Sequence, residues 1–262
     1  MPFTKGHKVK RRRPVKEAVK RIEATRKGAG KIESKAQLKH ILANANRGDC
    51  AERNVALIWF LFGSLTRISE TCRLEVKDVF TKTGDLKSVF RMKADYTKTN
   101  TSRDCALVLK QQRSALLAWR NRRLADGAML SDDGSYGGLR GDSPLFLARR
   151  GKSWMTLAFN VKKYMTKEGE KETLRCASME NYVRSLFKRC GFSQGSSHSG
   201  RKSTASLLSD AGIDYGVIQM AIGHVSDEQT DTYIISDPQK LTDALNSVYS
   251  SVPPLGIKDK GR

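Results

Sequence analysis

The sequence predicts a mainly α-helical fold with a small antiparallel β-sheet, and three features of the chain lead there. Helix-start signals recur ahead of apolar residues at three- and four-residue spacing. One run, Val55-Ala56-Leu57-Ile58-Trp59-Phe60-Leu61-Phe62, is apolar on every side. A single stretch, 86–109, switches to β-type residues around a polar tip. A helix without a polar face is normally enclosed by others, so the 55–62 run is expected at the centre of the domain. It is far shorter than the roughly 18 residues a membrane span needs.

The chain has 262 residues, a mass of 29.2 kDa and 39% apolar side chains, enough for one substantial core. Lys and Arg number 48 against 27 acidic residues, a formal charge of +21, so the expected partner is a polyanion. Met1 to Lys20 is basic and lacks an apolar core, so neither a secretory signal nor a membrane contact is expected, and a reducing cell interior is. Cys50, Cys72, Cys105, Cys176 and Cys190 are odd in number and contain no C-x-x-C pair; they read as reduced thiols, with no metal site expected.

Residues 1–33 form a basic arm with twelve Lys/Arg against three Glu and almost no large apolar side chains. Within it, Val15, Ala18, Val19 and Ile22 after Pro14 suit an amphipathic helix, and a disordered tail suits the composition equally. The folded domain is expected over 34–249. It opens at Ser34-x-x-Gln37, a capping box ahead of Leu38, Ile41 and Leu42. Asp49 and Glu52 offer a similar start before the 55–62 run. Val89, Phe90 and Met92, the polar stretch 97–102 and Cys105 to Leu109 read as a hairpin. A helix over 111–124 and a glycine-rich loop over 131–142 follow, and 159–178 reads as a solvated insertion or a poorly packed helix.

Helices are then expected over 179–189, over 202–209 stopped by Gly212, and over 214–222 stopped by Gly223. Ser226-x-x-Gln229 opens a short helix carrying Tyr233. Asp237-Pro238 opens a C-terminal helix over 237–249, with Leu241, Ala244, Leu245 and Val248 on one stripe, before a tail over 250–262. That stripe fits a groove on a neighbouring copy or the chain's own domain.

His198-Ser199-Gly200-Arg201 places an imidazole and a guanidinium three positions apart where a Gly/Ser loop meets a helix, an arrangement that faces one anion. Gly223-His224 lies in another helix-to-helix turn, and Tyr233 follows nine residues on. Singly, each has an ordinary structural explanation. Their joint spacing does not.

In this set the chain resembles the catalytic domain of the tyrosine recombinases, the phage-type integrases, over roughly residues 34–249. Leu65-Thr66-Arg67-Ile68-Ser69-Glu70 is similar to that family's arginine box, and Lys98 matches its hairpin lysine. His198, Arg201, His224 and Tyr233 match the rest in order. The chain departs from the pattern at Leu65-Thr66, where the family usually has Gly-Leu, and at Gly200 and Lys202, where it usually has Leu and His. A helical core-binding domain usually precedes the catalytic one, and the 1–33 arm is too short to supply it.

The resemblance implies a site-specific recombinase that cuts and rejoins double-stranded DNA through a 3′-phosphotyrosyl link, without cofactor or metal, during integration, excision or inversion of a mobile or phage element. Tyr233 is the implied nucleophile. Arg67 and Arg201 grip the non-bridging oxygens, Lys98 protonates the leaving 5′-oxygen, and His198 and His224 assist, with Glu70 in support. A homo-tetramer on two DNA sites is the implied assembly, in the cytoplasm at the nucleoid or in a eukaryotic nucleus. Lys10, Arg11, Arg12, Arg13 and Lys202 are the expected backbone-phosphate contacts. Two other readings use the same residues: a topoisomerase IB-like or hairpin-resolving strand transferase, and a non-catalytic DNA-binding regulator.

Overall fold

A computed structural model describes residues 30–98, 100–166, 169–223 and 238–254. The cations Lys10 to Arg13, the expected helix over 14–22, His224, the Ser226–Gln229 start and Tyr233 lie outside the described residues.

Helix α1 (Lys35–Ala45) begins as expected. Ser34 Oγ accepts the Gln37 N–H while Gln37 Oε1 accepts the Ser34 N–H, each at 3.2 Å. Packing starts four residues earlier than Ser34. The Gly30 N–H donates to the Gln194 carbonyl at 2.8 Å, and Ile32, an isolated apolar side chain in a basic stretch, is buried in the core.

Helix α2 (Ala51–Gly63) is the central element. Every residue from Arg53 to Gly63 is buried, against α1, α5 (Lys110–Ala125) and α8 (Ser199–Asp210). Neither Asp49 nor Glu52 caps it: Cys50 holds the cap position without a side-chain hydrogen bond, and Glu52 sits in the first turn, at the positive end of the dipole. Short helices α3 (Ile68–Arg73) and α4 (Val76–Val79) lead to the expected hairpin, β1 (Val89–Met92) with β2 (Arg103–Ala106). A four-residue turn, α6 (Ser135–Gly138), lies in the glycine-rich loop, with Tyr136 and Gly137 in the left-handed conformation.

The sheet content differs from the expected single sheet. Two further antiparallel pairs are present, β3 (Ala148–Arg150) with β4 (Ser153–Met155), and β5 (Asn160–Thr166) with β6 (Gly169–Arg175). The second lies within 159–178, read from the sequence as a solvated insertion or a poorly packed helix, and it excludes the helix for most of that stretch. Its Lys and Glu residues, good helix formers, are used instead as cross-strand partners: Lys163 faces Glu172 in register and pairs with its carboxylate at 3.0 Å and with Glu170 at 3.2 Å. Local propensity is overridden by strand pairing.

Helix α7 (Ala177–Arg189) packs on α1 and α3, and α9 (Tyr215–Ile222) starts at Asp214, whose carboxylate accepts the Gly216 and Val217 N–H groups. The last helix, α10 (Pro238–Tyr249), lies on its own domain. Ala244, Leu245, Val248, Tyr249 and Val252 are buried. The Tyr249 ring meets Trp59 edge-on at 5.7 Å, its hydroxyl bonds Thr204, and Gln111 Nε2 donates to the Tyr249 and Val252 carbonyls at 3.0 and 2.7 Å. The stripe that suited a neighbouring copy is therefore occupied in cis. All five cysteines are free thiols, and no described helix is long and apolar enough to cross a membrane.

Candidate active site

The site starts at the tight turn that ends α2. Leu65, where the family that the chain resembles usually has glycine, has φ 50, a left-handed conformation that costs a leucine about 1–2 kcal/mol. Two things hold it there. Its side chain is buried, and its carbonyl accepts a hydrogen bond from Arg201 Nη1 at 2.9 Å. The turn delivers Arg67 to the N-cap of α3. The Thr66 and Thr71 hydroxyls meet at 2.7 Å, and Thr71 Oγ1 donates to the Arg67 carbonyl at 3.0 Å, fixing the backbone that carries the arginine.

Glu70, fully buried one turn along, reaches back to Arg67. Its carboxylate accepts the Arg67 N–H at 2.8 Å and Arg67 Nη1 at 2.7 Å. From the other side Arg103 of β2 donates Nη2 at 2.6 Å and Nη1 at 3.3 Å. Burial works against the charged carboxylate. The hydrogen bond and charge of Arg103, then those of Arg67, outweigh it and hold the Glu70 carboxyl below its ordinary value.

His198 is the N-cap of α8, and Arg201 lies in that helix's first turn. The helix begins against the C-terminal end of α2, and Gly200 permits the approach. A Cβ there would lie 2.8 Å from Phe62 Cδ2 and 3.2 Å from the Leu61 carbonyl carbon. The ring of Phe62 thus occupies space that a leucine at position 200 would need. Ser199 Oγ donates to the Gly30 carbonyl and Thr204 Oγ1 to that of Phe62, at 2.6 and 2.9 Å, which pins α8 to both neighbours.

Arg201 is buried and bonds the carbonyls of Leu65 and Ile222. Burial, and next the charge of Arg67, pull its guanidinium down to about 9, still cationic at neutral pH. His198 is exposed, yet partial loss of hydration, then the charges of Arg67 and Arg201, hold its imidazole below the ordinary value and hence neutral at pH 7. Arg67 is close enough to act on both. Lys31, His198, Arg201, Lys202 and Tyr215 are among the residues that line a cavity of about 460 Å³ beside α9. Four basic side chains, Lys31 among them, and the N-terminal turn of α8 thus border one space, with Asp210 also in its lining.

Lys98 is not part of that cluster. It lies on the exposed hairpin tip, in a separate cavity of about 220 Å³ with Arg73, Tyr96 and Glu172. Lys93, the other hairpin lysine, is committed to the protein: it pairs with Asp78 at 3.1 Å and Glu75 at 3.5 Å and lies over the Tyr96 ring. Among other phenols, Tyr249 is buried and hydrogen-bonded, with burial raising its pKa, while Tyr215 is 70% exposed. The residue that sequence reasoning missed is Arg103. The signal was there: Arg103, Cys105 and Leu107 alternate onto one face of the strand, and an arginine on an inward face needs a buried acid.

The fold has solved counterparts. XerA recombinase matches with a TM-score of 0.52 at 20% identity, over 87% of this chain and 67% of that one. The integrase from mycobacterium phage Brujita matches at 0.52 and 14%, over 89% and 62%. The Tn1549 transposon integrase, in complex with a circular intermediate DNA, matches at 0.50 and 16%, over 84% and 62%. This chain thus spans about three fifths of the latter two. Comparison with curated protein sequences gave no match. The model of the phage integrase family matches residues 33–240, which takes in the arginine box, the hairpin, the His198–Arg201 helix start and Tyr233. With most of its length covered by that match, the chain belongs to the phage integrase family, the tyrosine recombinases.

Proposed function

We propose that this chain is a site-specific DNA strand transferase that breaks and rejoins DNA through a 3′-phosphotyrosyl intermediate, in the integration, excision or inversion of a mobile segment. The observation that carries the reading is the grouping of two distant stretches of sequence: Arg201 bonds the Leu65 carbonyl two residues before Arg67, the Arg67 charge acts on both His198 and Arg201, and His198 and Arg201 border one cavity. The two guanidiniums hold the non-bridging oxygens of the scissile phosphate, a task for planar donors that stay charged. The Tyr233 phenol attacks phosphorus, its proton passing to the neutral His198 imidazole, and the bond to the 5′-oxygen breaks as Lys98 protonates that oxygen. His224 donates to the phosphate. Rejoining is the reverse attack of the 5′-hydroxyl on the phosphotyrosine, so the bond energy is conserved and no high-energy cofactor is consumed.

Double-stranded DNA is the partner, bound through the cationic surface that a charge of +21 requires, with the 1–33 arm and Lys202 on backbone phosphates. Four copies on two duplexes complete an exchange.

The test is covalent capture. The purified chain is incubated with a randomised pool of nicked duplexes, whose short 5′-hydroxyl fragment diffuses away after cleavage, and adducts are recovered under denaturing conditions. An adduct that survives Tyr215→Phe and is lost in Tyr233→Phe supports the reading. Arg201→Lys does not restore it, because an ammonium cannot reproduce the two-pronged grip. Tight binding with no adduct assigns the chain to the regulators instead. Plasmid relaxation without exchange between two sites assigns it to the topoisomerase-like enzymes.

A further inference from the structure

Arg103 has no part in the chemistry just described, yet it joins three described elements around it: the hairpin, α3 and the end of α9. Its strand descends from the tip that carries Lys98. Its side chain is 8% exposed, and it takes both Glu70 oxygens in a two-pronged grip while Arg67 holds one of them from the opposite side. It also supports the end of α9. Gly223, the left-handed C-cap with φ 66, rests on it so closely that a Cβ there would lie 2.8 Å from Arg103 Cδ and 3.1 Å from Nη1. Arg201 bonds the carbonyl of Ile222, one residue earlier. The last turn of α9 is thus clasped between two arginines, one from α8 and one from the hairpin.

We infer that Arg103 is a positioning residue for strand cleavage, which acts through Glu70 to fix the Arg67 guanidinium and through Gly223 to fix the end of α9. This rests on the strand-transfer reading above. The physical case is geometric. With Arg103 in place, both carboxylate oxygens are occupied and the Arg67 side chain has one available direction. Without it, the buried carboxylate keeps only its bonds to Arg67 itself, from the backbone N–H and from Nη1, and nothing outside α3 opposes a shift of the guanidinium. A shift of about 1 Å in a group that grips the transition state costs on the order of 100-fold in rate.

Arg103→Met keeps an unbranched apolar stem and removes the grip. On a nicked duplex recovered by the capture experiment, its single-turnover rate of adduct formation is expected to fall about 100-fold, with DNA affinity close to wild type. The acid limb of the rate–pH profile supplies a signature that a merely structural role would not move. Glu70 faces Arg67 from its own helix cap, Arg103 and the Cys105 thiol from β2, and Arg201 and His198 from α8. Loss of Arg103 lets burial raise the Glu70 carboxyl, so the rate falls away at higher pH than in the wild type.

In a Glu70→Gln background the same Arg103→Met change should not displace the acid limb further and should lower the rate by less than it does in the wild type, because the route through Glu70 is already cut and only the support of Gly223 is left to lose. Should Arg103→Met fail to fold, Arg103→Lys is read in its place; it keeps a charge near Glu70 but a single-pronged contact, and should show an intermediate loss with the same displaced acid limb. Wild-type rates and an unmoved limb in the variant overturn the inference, as does a loss that adds fully to that of Glu70→Gln. No adduct from the wild-type chain overturns the strand-transfer reading itself, and this role with it.

Discussion

Leu245→Ala asks which molecule α10 belongs to. Leu245 is fully buried on the face of α10 that meets α8, and Tyr249 and Val252 beyond it are nearly as enclosed. Truncating a buried leucine removes its transfer free energy and leaves a partly relaxed cavity, together about 2–5 kcal/mol. For a domain of this size each kcal/mol lowers Tm by about 2–4 °C, so a mid-range cost of about 3 kcal/mol predicts a fall of about 6–12 °C. Tyr249→Phe is the finer companion. It keeps the ring on Trp59 and removes the hydroxyl bonded to Thr204, a loss of about 1 kcal/mol and hence about 2–4 °C. Circular dichroism melts at fixed concentration read both, beside sedimentation velocity of the same samples. An unchanged Tm for Leu245→Ala, accompanied by loss of self-association, would refute the cis placement. By the same reasoning, deleting 237–262 should abolish DNA binding and cleavage together by unfolding the domain, rather than weaken assembly alone.

Three further outcomes follow from the site. The Glu70 carboxyl is held below its ordinary 4.5, so its contribution to stability is complete above that pH and is lost as pH falls through the lower native value. Glu70→Gln should therefore cost about 3–5 kcal/mol at pH 7, by leaving Arg103 buried without its counter-charge, and should flatten the acid side of a urea-denaturation series. At the left-handed position 65 the usual order reverses: Leu65→Gly should be more stable than Leu65→Ala by about 1 kcal/mol, although it removes more side chain, and equal or opposite melting shifts would contradict the strain. Gly200→Ala should cost about 1–3 kcal/mol by overpacking, and Phe62→Leu in the same chain should recover part of it in a thermal melt.

Legibility in the sequence followed the range of the interactions. The Ser34–Gln37 capping box, the Asp214 start and Gly223 stop of α9, and the apolar 55–62 run were readable because each is written within a few residues and obeys a helical period. The order of Arg67, Lys98, His198 and Arg201 was readable as a resemblance, carried by the short arginine box and the His198-x-x-Arg201 spacing. The β5–β6 pair was not: its Lys and Glu residues carry helix propensity, and only the facing strand turns Lys163 and Glu172 into partners. Cys50 in the cap position of α2 was likewise invisible behind the better cappers Asp49 and Glu52.

The sequence by itself determined the helical framework, the cationic character and the residue types able to grip a phosphate, since periodicity, charge and chemistry are properties of short segments. Only the tertiary structure decided that Leu65 takes a left-handed turn under Arg201, that Arg103 closes on Glu70 across 33 residues, and that α10 lies on its own core. Each of those depends on contacts between distant segments, where a buried charge or an unfilled apolar face finds its partner only after the chain has packed.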